Sequence, residues 1–381
     1  MRYYIVAGEA SGDLHGSNLI KELKKLDTQA AVRCWGGDKM KAAGATLVKH
    51  YKDLAFMGFS EVLKNLPTIF KNLSFCKTDI LQYQPDAVIL IDYPGFNLRI
   101  AKWAKTHHFK VIFYISPQIW AWKESRVNII KKYVDKMLVI LPFEKSFYKK
   151  WNYQVEYVGH PLAEVIGNYK RQADNQQLII TGNQRSITNN EQPSNIIALL
   201  PGSRKQELKI KLPVMLQVAK HFPGYQFVVA KAPGIDNEFY NSFLEGHDNV
   251  GTVTDQTYVL LMQAKAALVT SGTATLETAL FGVPQIVCYK GNALSYQVAR
   301  RLIKVKFISL VNLIMNKEVV KELIQDELTV ENLKKDLTII LYDTIKIQKI
   351  KNDYAELKNM LQLGGNASLN AAASIYNFLI T

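Results

Sequence analysis

Short apolar runs alternate with stretches of helical periodicity along this chain, and that alternation restricts its fold more than any other feature. Several runs are apolar throughout, which is typical of parallel strands buried on both faces. The alternation predicts an α/β fold with two Rossmann-like, doubly wound domains that face each other across a cleft. The predicted strands are residues 3–7, 87–91, 111–115, 137–141, 155–158, 196–200, 226–230, 266–270 and 285–289.

The chain has 381 residues, which suits two α/β domains better than one core. We expect a first domain over residues 1–165 and a second over residues 196–352. Residues 166–195 are rich in Asn, Gln, Ser and Thr and predict a polar linker or insertion. Residues 353–381 have helical periodicity and predict a tail that packs on a domain core.

The chain is strongly basic, with 47 Lys and Arg against 33 Asp and Glu and a net charge of +14. Such a surplus favours polyanionic partners. No nucleic-acid-binding motif is present, so anionic lipid or phosphate is favoured over nucleic acid. The three cysteines are far apart in sequence, which predicts neither disulfides nor a metal site and fits a reducing cytoplasm. Neither a leader peptide nor an apolar run long enough to span a membrane is evident.

The first predicted strand is followed by a turn that reads Gly-Glu-Ala-Ser-Gly-Asp over residues 8–13. Small residues at this point let a ligand approach the backbone and the start of the next helix. Gly8, Ser11, Gly12 and Asp13 are therefore candidate ligand contacts. The alternative is a plain glycine turn in which Asp13 caps a helix.

Asp92 ends an apolar strand at the position where open α/β sheets bind ligands. A carboxylate there can act as a general base. The alternative is a capping role in the turn before the next helix. Glu9 is its closest rival as the catalytic carboxylate, followed by Asp13, His15 and His160.

A loop reading Ser-Pro-Gln-Ile-Trp-Ala-Trp over residues 116–122 follows another strand. Its indoles, Trp120 first, can stack on a sugar ring or contact acyl chains, although tryptophans more often close a core. His160 lies in a Gly-His-Pro turn at the domain boundary, where it either faces the cleft or stabilises the turn.

Two strand-to-helix turns in the second domain predict a phosphate site. Arg204 can pair with a phosphate, and the small residues that follow residue 270 leave helix N–H groups available for a diphosphate. Glu277, about one turn into that helix, is placed to accept hydrogen bonds from ribose hydroxyls. The candidate contacts are Gly202, Ser203, Arg204, Ser271, Gly272, Thr273, Ala274 and Glu277.

Residues 54–75 carry apolar side chains at helical spacing with lysines beside them. An exposed basic amphipathic helix of this kind would lie on a membrane surface, with Phe56, Met57 and Phe59 as its contacts. A buried helix face explains the same pattern equally well.

The order of these motifs resembles that of the lipid-A-disaccharide synthase family over nearly the whole chain. The shared motifs are GEASGD (8–13), IDYP (91–94), SPQIWAW (116–122), LPFE (141–144), GHP (159–161), LPGSR (200–204), SGTATLE (271–277) and SLVNLI (309–314). One departure is Gly95, which stands where the family often has an aspartate.

The resemblance implies an inverting glycosyltransferase of GT-B architecture that acts at the inner face of the inner membrane. Its substrates would be UDP-2,3-diacylglucosamine and 2,3-diacylglucosamine 1-phosphate, and its product the β(1→6) disaccharide of lipid A. Asp92 would be the base, and Arg204, Thr273 and Asn312 would contact the donor. The first domain would then bind the acceptor and the membrane, and the second the UDP-sugar, without a cofactor or metal.

Two other functions remain open from the sequence. A UDP-sugar 2-epimerase has the same architecture and a similar UDP loop, but it needs no membrane helix. A basic nucleic-acid-binding protein would bind with steep salt dependence and release no UDP. The sequence leaves open whether the chain forms a homodimer.

Overall fold

A computed structural model of the chain describes residues 1–53, 66–172, 178, 180–181, 195–292, 296 and 305–381. These residues form two compact units. The first unit is Met1–Glu164 together with Leu361–Thr381, and the second is Val165–Met360.

The first unit contains a seven-stranded parallel sheet with the order β3-β2-β1-β4-β5-β6-β7. The chain builds β2 and β3 on one side of β1 and then crosses to the other side with β4. The strands are β1 (Arg2–Ala7), β2 (Ala31–Gly36), β3 (Thr46–His50), β4 (Ala87–Ile91), β5 (Lys110–Tyr114), β6 (Lys136–Val139) and β7 (Glu156–Tyr157).

Helices cover both faces of this sheet. They are α1 (Ala10–Leu26), α2 (Asp38–Ala42), α3 (Leu66–Tyr83), α4 (Pro94–Thr106), α5 (Ile119–Trp122), α6 (Val127–Tyr133), α7 (Glu144–Lys149), α8 (Pro161–Gln172), which continues into the second unit, and α16 (Ala367–Ile380). Short 3₁₀ turns occur at Tyr51–Asp53 and Glu124–Arg126.

Alternate side chains of β1 enter two separate cores, because successive residues of a strand point to opposite faces. Tyr4 and Val6 pack in the core that α3 and α4 cover. Tyr3 and Ile5 pack in the core that α1 and α16 cover. This burial on both faces explains why β1 reads as an unbroken apolar run.

The second unit contains a six-stranded parallel sheet with the order β10-β9-β8-β11-β12-β13. Its strands are β8 (Ile196–Leu200), β9 (Gln226–Lys231), β10 (Val250–Thr254), β11 (Ala264–Thr270), β12 (Gln285–Tyr289) and β13 (Lys321–Ile324). Its helices are α9 (Lys205–Ala219), α10 (Asn237–Leu244), α11 (Thr257–Gln263), α12 (Thr273–Phe281), α13 (Leu310–Met315), α14 (Val330–Tyr342) and α15 (Thr344–Gln362), with a 3₁₀ turn at Gln325–Glu327.

The predicted class, two parallel α/β sheets, is confirmed, but strands β2, β3, β10 and β13 were not predicted from the sequence. Three of them, β3, β10 and β13, are edge strands. Edge strands carry charged and small residues that weaken the apolar signal. The sequence Lys-Glu-Leu-Ile of β13 is an example.

The segment boundaries differ from those expected. Of residues 166–195, those up to Gln172 belong to α8, and Thr181 forms an isolated antiparallel bridge with Thr252. Residues 173–177, 179 and 182–194 lie outside the described residues. The predicted start of the tail, residue 353, lies inside α15, which is continuous to Gln362. A turn at residues 363–366 then leads into α16.

Helix α16 packs on α1, with Ala372 and Ile375 in the same core as Leu19 and Leu23. The turn before α16 crosses another backbone segment closely. A Cβ atom added to Gly364 would lie 2.3 Å from the Cα atom of Gly159. Only glycine therefore fits at position 364 without a backbone shift.

We expect Gly364→Ala to lower the free energy of unfolding, because overpacking against backbone costs about 1–3 kcal/mol. Gly167→Ala is the matched control, since an added Cβ at that helical position meets nothing within 4 Å. The control should be neutral or stabilising by up to about 1 kcal/mol. Thermal unfolding followed by circular dichroism measures both, and equal midpoints for the two variants would contradict the prediction.

Candidate active site

The carboxyl ends of the first sheet lie at one edge because every strand pair is parallel. The crossover between β1 and β4 creates a switch point there, which is where open α/β sheets bind ligands. Glu9 follows β1 and Asp92 follows β4. Two predicted catalytic carboxylates therefore follow neighbouring strands.

The Asp92 turn has an unusual backbone. Asp92 and Tyr93 both adopt left-handed conformations, with φ of 44° and 49°. Such conformations cost about 1–3 kcal/mol for a non-glycine residue and concentrate at functional sites. The Asn97 side-chain amide stabilises the turn by donating to the carbonyl oxygens of Asp92 (2.8 Å) and Ile91 (3.1 Å).

The Tyr93 ring also explains one of the glycines in the first loop. A Cβ atom on Gly8 would lie 2.4 Å from the Tyr93 ring. Tyr93 in turn stacks on Phe96, with 5.6 Å between ring centroids. Gly8 is thus required by the packing of the Asp92 turn, whether or not a ligand also approaches it.

Asp92 has an environment that suits a base. Burial, and then the negative charge of the nearby Glu9, raise the pKa of Asp92 to about 7. Glu9 itself is exposed, and its side chain makes no capping hydrogen bond at the start of α1. A carboxylate that titrates near neutral pH is well matched to proton abstraction at that pH.

Asp13 has a structural role that the sequence suggested only as an alternative. Its buried carboxylate accepts hydrogen bonds from the backbone N–H groups of Gly37 (2.8 Å), Lys39 (3.1 Å) and Met40 (3.0 Å). It therefore caps α2, a helix other than its own. Of its neighbours, Ser11 is exposed and Gly12 packs on Ala7.

The two candidate histidines are buried near each other. Burial lowers the pKa of His15 to about 4, and burial together with His15 lowers the pKa of His160 to about 3. The His160 Nδ1 atom accepts a hydrogen bond from the N–H of Leu162 at the start of α8. Both imidazoles are neutral at pH 7, and their low pKa values make them weaker bases than Asp92.

The two indoles of the loop after β5 differ in exposure. Trp120 is only 7% exposed and packs edge-on against Phe143, so it is a core residue. Trp122 is 46% exposed. We expected Trp120 to contact a ligand, but the short helix α5 directs Trp122 to the surface instead.

Below this loop lies a buried polar cluster that the sequence analysis did not identify as such. Glu144 accepts hydrogen bonds from the N–H groups of Ile140 and Leu141, and burial raises its pKa to about 7. The hydroxyls of Ser116 and Tyr148 lie 2.7 Å apart. These contacts stabilise the loops that carry Trp122.

A pocket of about 260 Å³ opens beside Asp92. Proline and tryptophan side chains and one guanidinium contribute to its lining. Its lining residues are Asp92, Pro94, Pro117, Gln118, Ile119, Trp122 and Arg126. In the sequence, the signal for Arg126 is its position four residues after Trp122, which ends the tryptophan motif.

In the second unit, the loops after β8 and β11 are adjacent because these strands pair. Gly202 has φ +120°, and an added Cβ would lie 2.3 Å from the Glu207 carboxylate. Ser203 and Arg204 are exposed, and the Arg204 guanidinium lies 3.5 Å from Glu207. The loop thus presents a cation that a neighbouring carboxylate orients.

The loop after β11 continues into α12. Gly272 has φ +135°, and Thr273, the first residue of α12, is exposed, whereas Ala274 is half-buried. The Ser271 hydroxyl donates to the Ile308 carbonyl oxygen. Glu277 accepts a hydrogen bond from the Tyr258 hydroxyl (3.2 Å), and burial raises its pKa.

Lys211 links these two loops and was missed by the sequence analysis. It is buried in α9, donates a hydrogen bond to Thr270 at the end of β11 and lies 3.8 Å from Glu207. Burial lowers its pKa. Its place among apolar residues, four positions after a glutamate, is a signal in the sequence.

Asn312 is buried, and protein groups occupy all four of its hydrogen-bonding positions. Its nitrogen donates to Val320 and Glu322, and its oxygen accepts from Val319 and Val320. Glu322 also accepts from the N–H of Ile308, the residue that Ser271 contacts. The resemblance implied that Asn312 contacts the donor directly, but its amide has no hydrogen-bonding position left for such a contact.

The predicted membrane contacts Phe56, Met57 and Phe59 lie outside the described residues. Within α3, Leu73 is buried in the core, whereas Phe70 is 60% exposed. The apolar stripe is thus divided between the core and the surface. Among the described residues, no helix is long and apolar enough to cross a bilayer, and no three side chains are grouped to hold a metal ion.

Comparisons with known proteins agree with one another. A family model described as lipid-A-disaccharide synthetase matches residues 3–377. The lipid-A-disaccharide synthase of Geobacter metallireducens is 38% identical over 369 residues, covering 96% of this chain and 94% of that protein. That of Myxococcus xanthus is 36% identical over 383 residues, covering 99% and 97%.

Solved structures share the fold at low identity. A UDP-GlcNAc 2-epimerase from Neisseria meningitidis, bound to UDP-GlcNAc, has a TM-score of 0.66 at 15% identity and covers 100% of both chains. A calicheamicin glycosyltransferase has a TM-score of 0.60 at 15% identity, covering 99% of this chain and 98% of that one. At such identities the likeness concerns the fold.

We expect the Asp92 carboxyl to titrate near pH 7 in a ¹³C NMR experiment, with Asp92→Asn used to assign its signal. Glu9→Gln should move this titration to lower pH, because a like charge that disfavours ionisation is removed. Glu22→Gln is the control, since 13 residues of helix separate it from Glu9 by about 20 Å. A titration near pH 4 in the unaltered protein would contradict the prediction.

Proposed function

Because the chain belongs to the lipid-A-disaccharide synthase family and is therefore a glycosyltransferase, we propose that it joins two acylated glucosamine units. The donor is UDP-2,3-diacylglucosamine and the acceptor is 2,3-diacylglucosamine 1-phosphate. The products are the β(1→6)-linked disaccharide 1-phosphate and UDP. The observation that carries the proposal is Asp92, a carboxylate with a pKa raised to about 7 beside a pocket at the switch point.

The proposed reaction is a single displacement with inversion. The acceptor 6-hydroxyl attacks the anomeric carbon of the donor as Asp92 accepts its proton, and the bond from that carbon to the UDP oxygen breaks. No covalent intermediate with the protein is needed. Glu9 assists by raising the pKa of Asp92, so that the carboxylate is a stronger base.

The second unit binds the UDP group in this proposal. Arg204 and the N–H groups at the start of α12 stabilise the negative charge of the departing diphosphate. Lys211 positions both elements, because it contacts Thr270 before α12 and Glu207 beside Arg204. No metal ion is part of the proposal, so turnover should persist in a chelator.

Incubation of the purified protein with both acylated sugars tests the function. UDP and a disaccharide phosphate, identified by mass spectrometry, should appear together. Release of UDP without the disaccharide would contradict the proposal. Conversion of UDP-GlcNAc alone into its C2 epimer would identify the protein as an epimerase instead.

We expect Asp92→Asn to lower turnover by about 10²–10⁴-fold, because the amide keeps the shape but cannot accept the proton. UDP affinity, measured by calorimetry, should remain nearly unchanged. The thermal midpoint at pH 8 should be equal or higher, since a carboxylate whose pKa is raised by burial destabilises the folded state when ionised. Near-normal turnover would assign the base to another residue.

We also propose that the protein binds the inner face of the inner membrane through the first unit, where Phe70 is exposed on α3 beside Lys71. Acylated substrates reside in a membrane, and the chain's surplus of +14 favours anionic lipid.

Phe70→Ser should weaken partitioning onto anionic vesicles by roughly 10- to 150-fold, because burial of a phenylalanine contributes about 1.5–3 kcal/mol. Ile345→Ser is the matched control, as Ile345 is 84% exposed on α15 in the second unit. Vesicle sedimentation measures both variants. Equal loss of binding in the two variants, or none in either, would contradict this role of α3.

A further inference from the structure

Arg126 is a partly buried guanidinium in the pocket beside Asp92. It lies over the Trp122 ring, with 5.2 Å from its Cζ atom to the ring centroid. Within the described part of the chain, no carboxylate lies within 4 Å of it and its side chain makes no hydrogen bond. Its five N–H donors are therefore available to a ligand.

A second guanidinium, that of Arg99, adds positive charge near Arg126. Arg99 of α4 is close enough that it lowers the pKa of Arg126 further, after the larger effect of burial. Among the residues that line the pocket, Asp92 alone is acidic. Neither guanidinium forms an ion pair with a carboxylate of the described residues, and two such neighbouring cations favour the binding of an anion.

A phosphate monoester fits this arrangement best. A guanidinium pairs with two phosphate oxygens at once, and stacking on an indole holds its plane in place. At about 260 Å³, the pocket is smaller than the range of about 300–1,000 Å³ that is typical of drug-sized ligands. It therefore suits one sugar ring, and the half-exposed Trp122 indole is part of its lining.

The proposed acceptor carries both groups that such a pocket would recognise. Its nucleophilic hydroxyl is on C6 and its phosphate is on C1, at opposite ends of a single pyranose ring. A ring whose phosphate is held at Arg126 would then present its C6 hydroxyl toward Asp92, which lines the same pocket.

The geometry points to Arg126, braced by Trp122, as the residue that binds the acceptor phosphate and thereby orients the attacking hydroxyl at Asp92. This inference rests on the proposed function. Binding of the phosphate at Arg126 makes the protein selective for a phosphorylated acceptor. That selectivity then depends on one side chain.

The kinetic test compares Arg126→Met with the unaltered protein on two acceptors, 2,3-diacylglucosamine 1-phosphate and the same sugar without phosphate. Assays at pH 8.5 keep Asp92 ionised, so that a changed charge nearby does not alter its protonation. For the phosphorylated acceptor, Arg126→Met should lower kcat/KM by about 10²-fold or more, whereas the KM for the donor should not change. For the unphosphorylated acceptor, the two proteins should be equally slow.

Two further variants separate binding from structure. Arg126→Lys should recover part of the loss, because a cation returns without the paired donors. Lys123→Met is the matched control, as Lys123 also lies over the Trp122 ring (5.6 Å) but does not line the pocket. An equal loss for both acceptors in Arg126→Met would make Arg126 a structural residue and overturn the inference.

A binding experiment keeps this test independent of catalysis. Glucosamine 1-phosphate should bind the unaltered protein more tightly than glucosamine does, and Arg126→Met should abolish the difference, as measured by NMR titration. Retention of that difference in Arg126→Met would overturn the inference even if turnover were absent. Absence of UDP release with either acceptor, alongside phosphate-dependent binding through Arg126, would contradict only the proposed function.

Discussion

Parallel pairing of β1 with β4 is the constraint on which the rest of the first unit depends. Because both strands end at the same edge, Glu9 and Asp92 are brought close although 82 residues separate them in sequence order. The Asn97 amide then holds the end of β4 in a left-handed turn. An antiparallel arrangement would place the two carboxylates at opposite edges.

The proximity of Glu9 and Asp92 destabilises the folded state when both are ionised, but it makes Asp92 a stronger base. Burial of Asp92, and then repulsion by the Glu9 carboxylate, destabilise the ionised form of Asp92 and raise its pKa. A fold selected for stability alone would place a neutral side chain there. The packing of the Tyr93 ring on Gly8, together with the Asn97 hydrogen bonds, stabilises the turn against this repulsion and its left-handed backbone.

In the second unit, the buried charged group is a cation, Lys211. Lys211 lies in an apolar helix face, where an isolated ammonium would be unfavourable, and contacts with Thr270 and Glu207 offset that desolvation. The same contacts connect the two loops that carry Arg204 and α12. Asn312 likewise stabilises the adjacent loop through its hydrogen bonds. Protein groups occupy every hydrogen-bonding position of its amide, so none is left for a ligand.

The amino-acid sequence by itself determined the two parallel α/β sheets, since strands buried on both faces must be apolar throughout and helices between them must be amphipathic. It also placed Asp92 and Arg204 at the ends of strands, because that position depends only on local order along the chain. Edge strands such as β13 (Lys321–Ile324) escaped prediction, as their charged residues are explained only by their place in the sheet.

Only the tertiary structure decided which polar and aromatic side chains remain available for a ligand. Asp13 and Trp120 looked like ligand contacts in sequence, yet the first is used by the N–H groups of α2 and the second is buried against Phe143. Trp122 and Arg126 line the pocket beside Asp92 instead. The physical reason is that burial and hydrogen-bond occupancy depend on partners distant in sequence, which local patterns of residues do not encode.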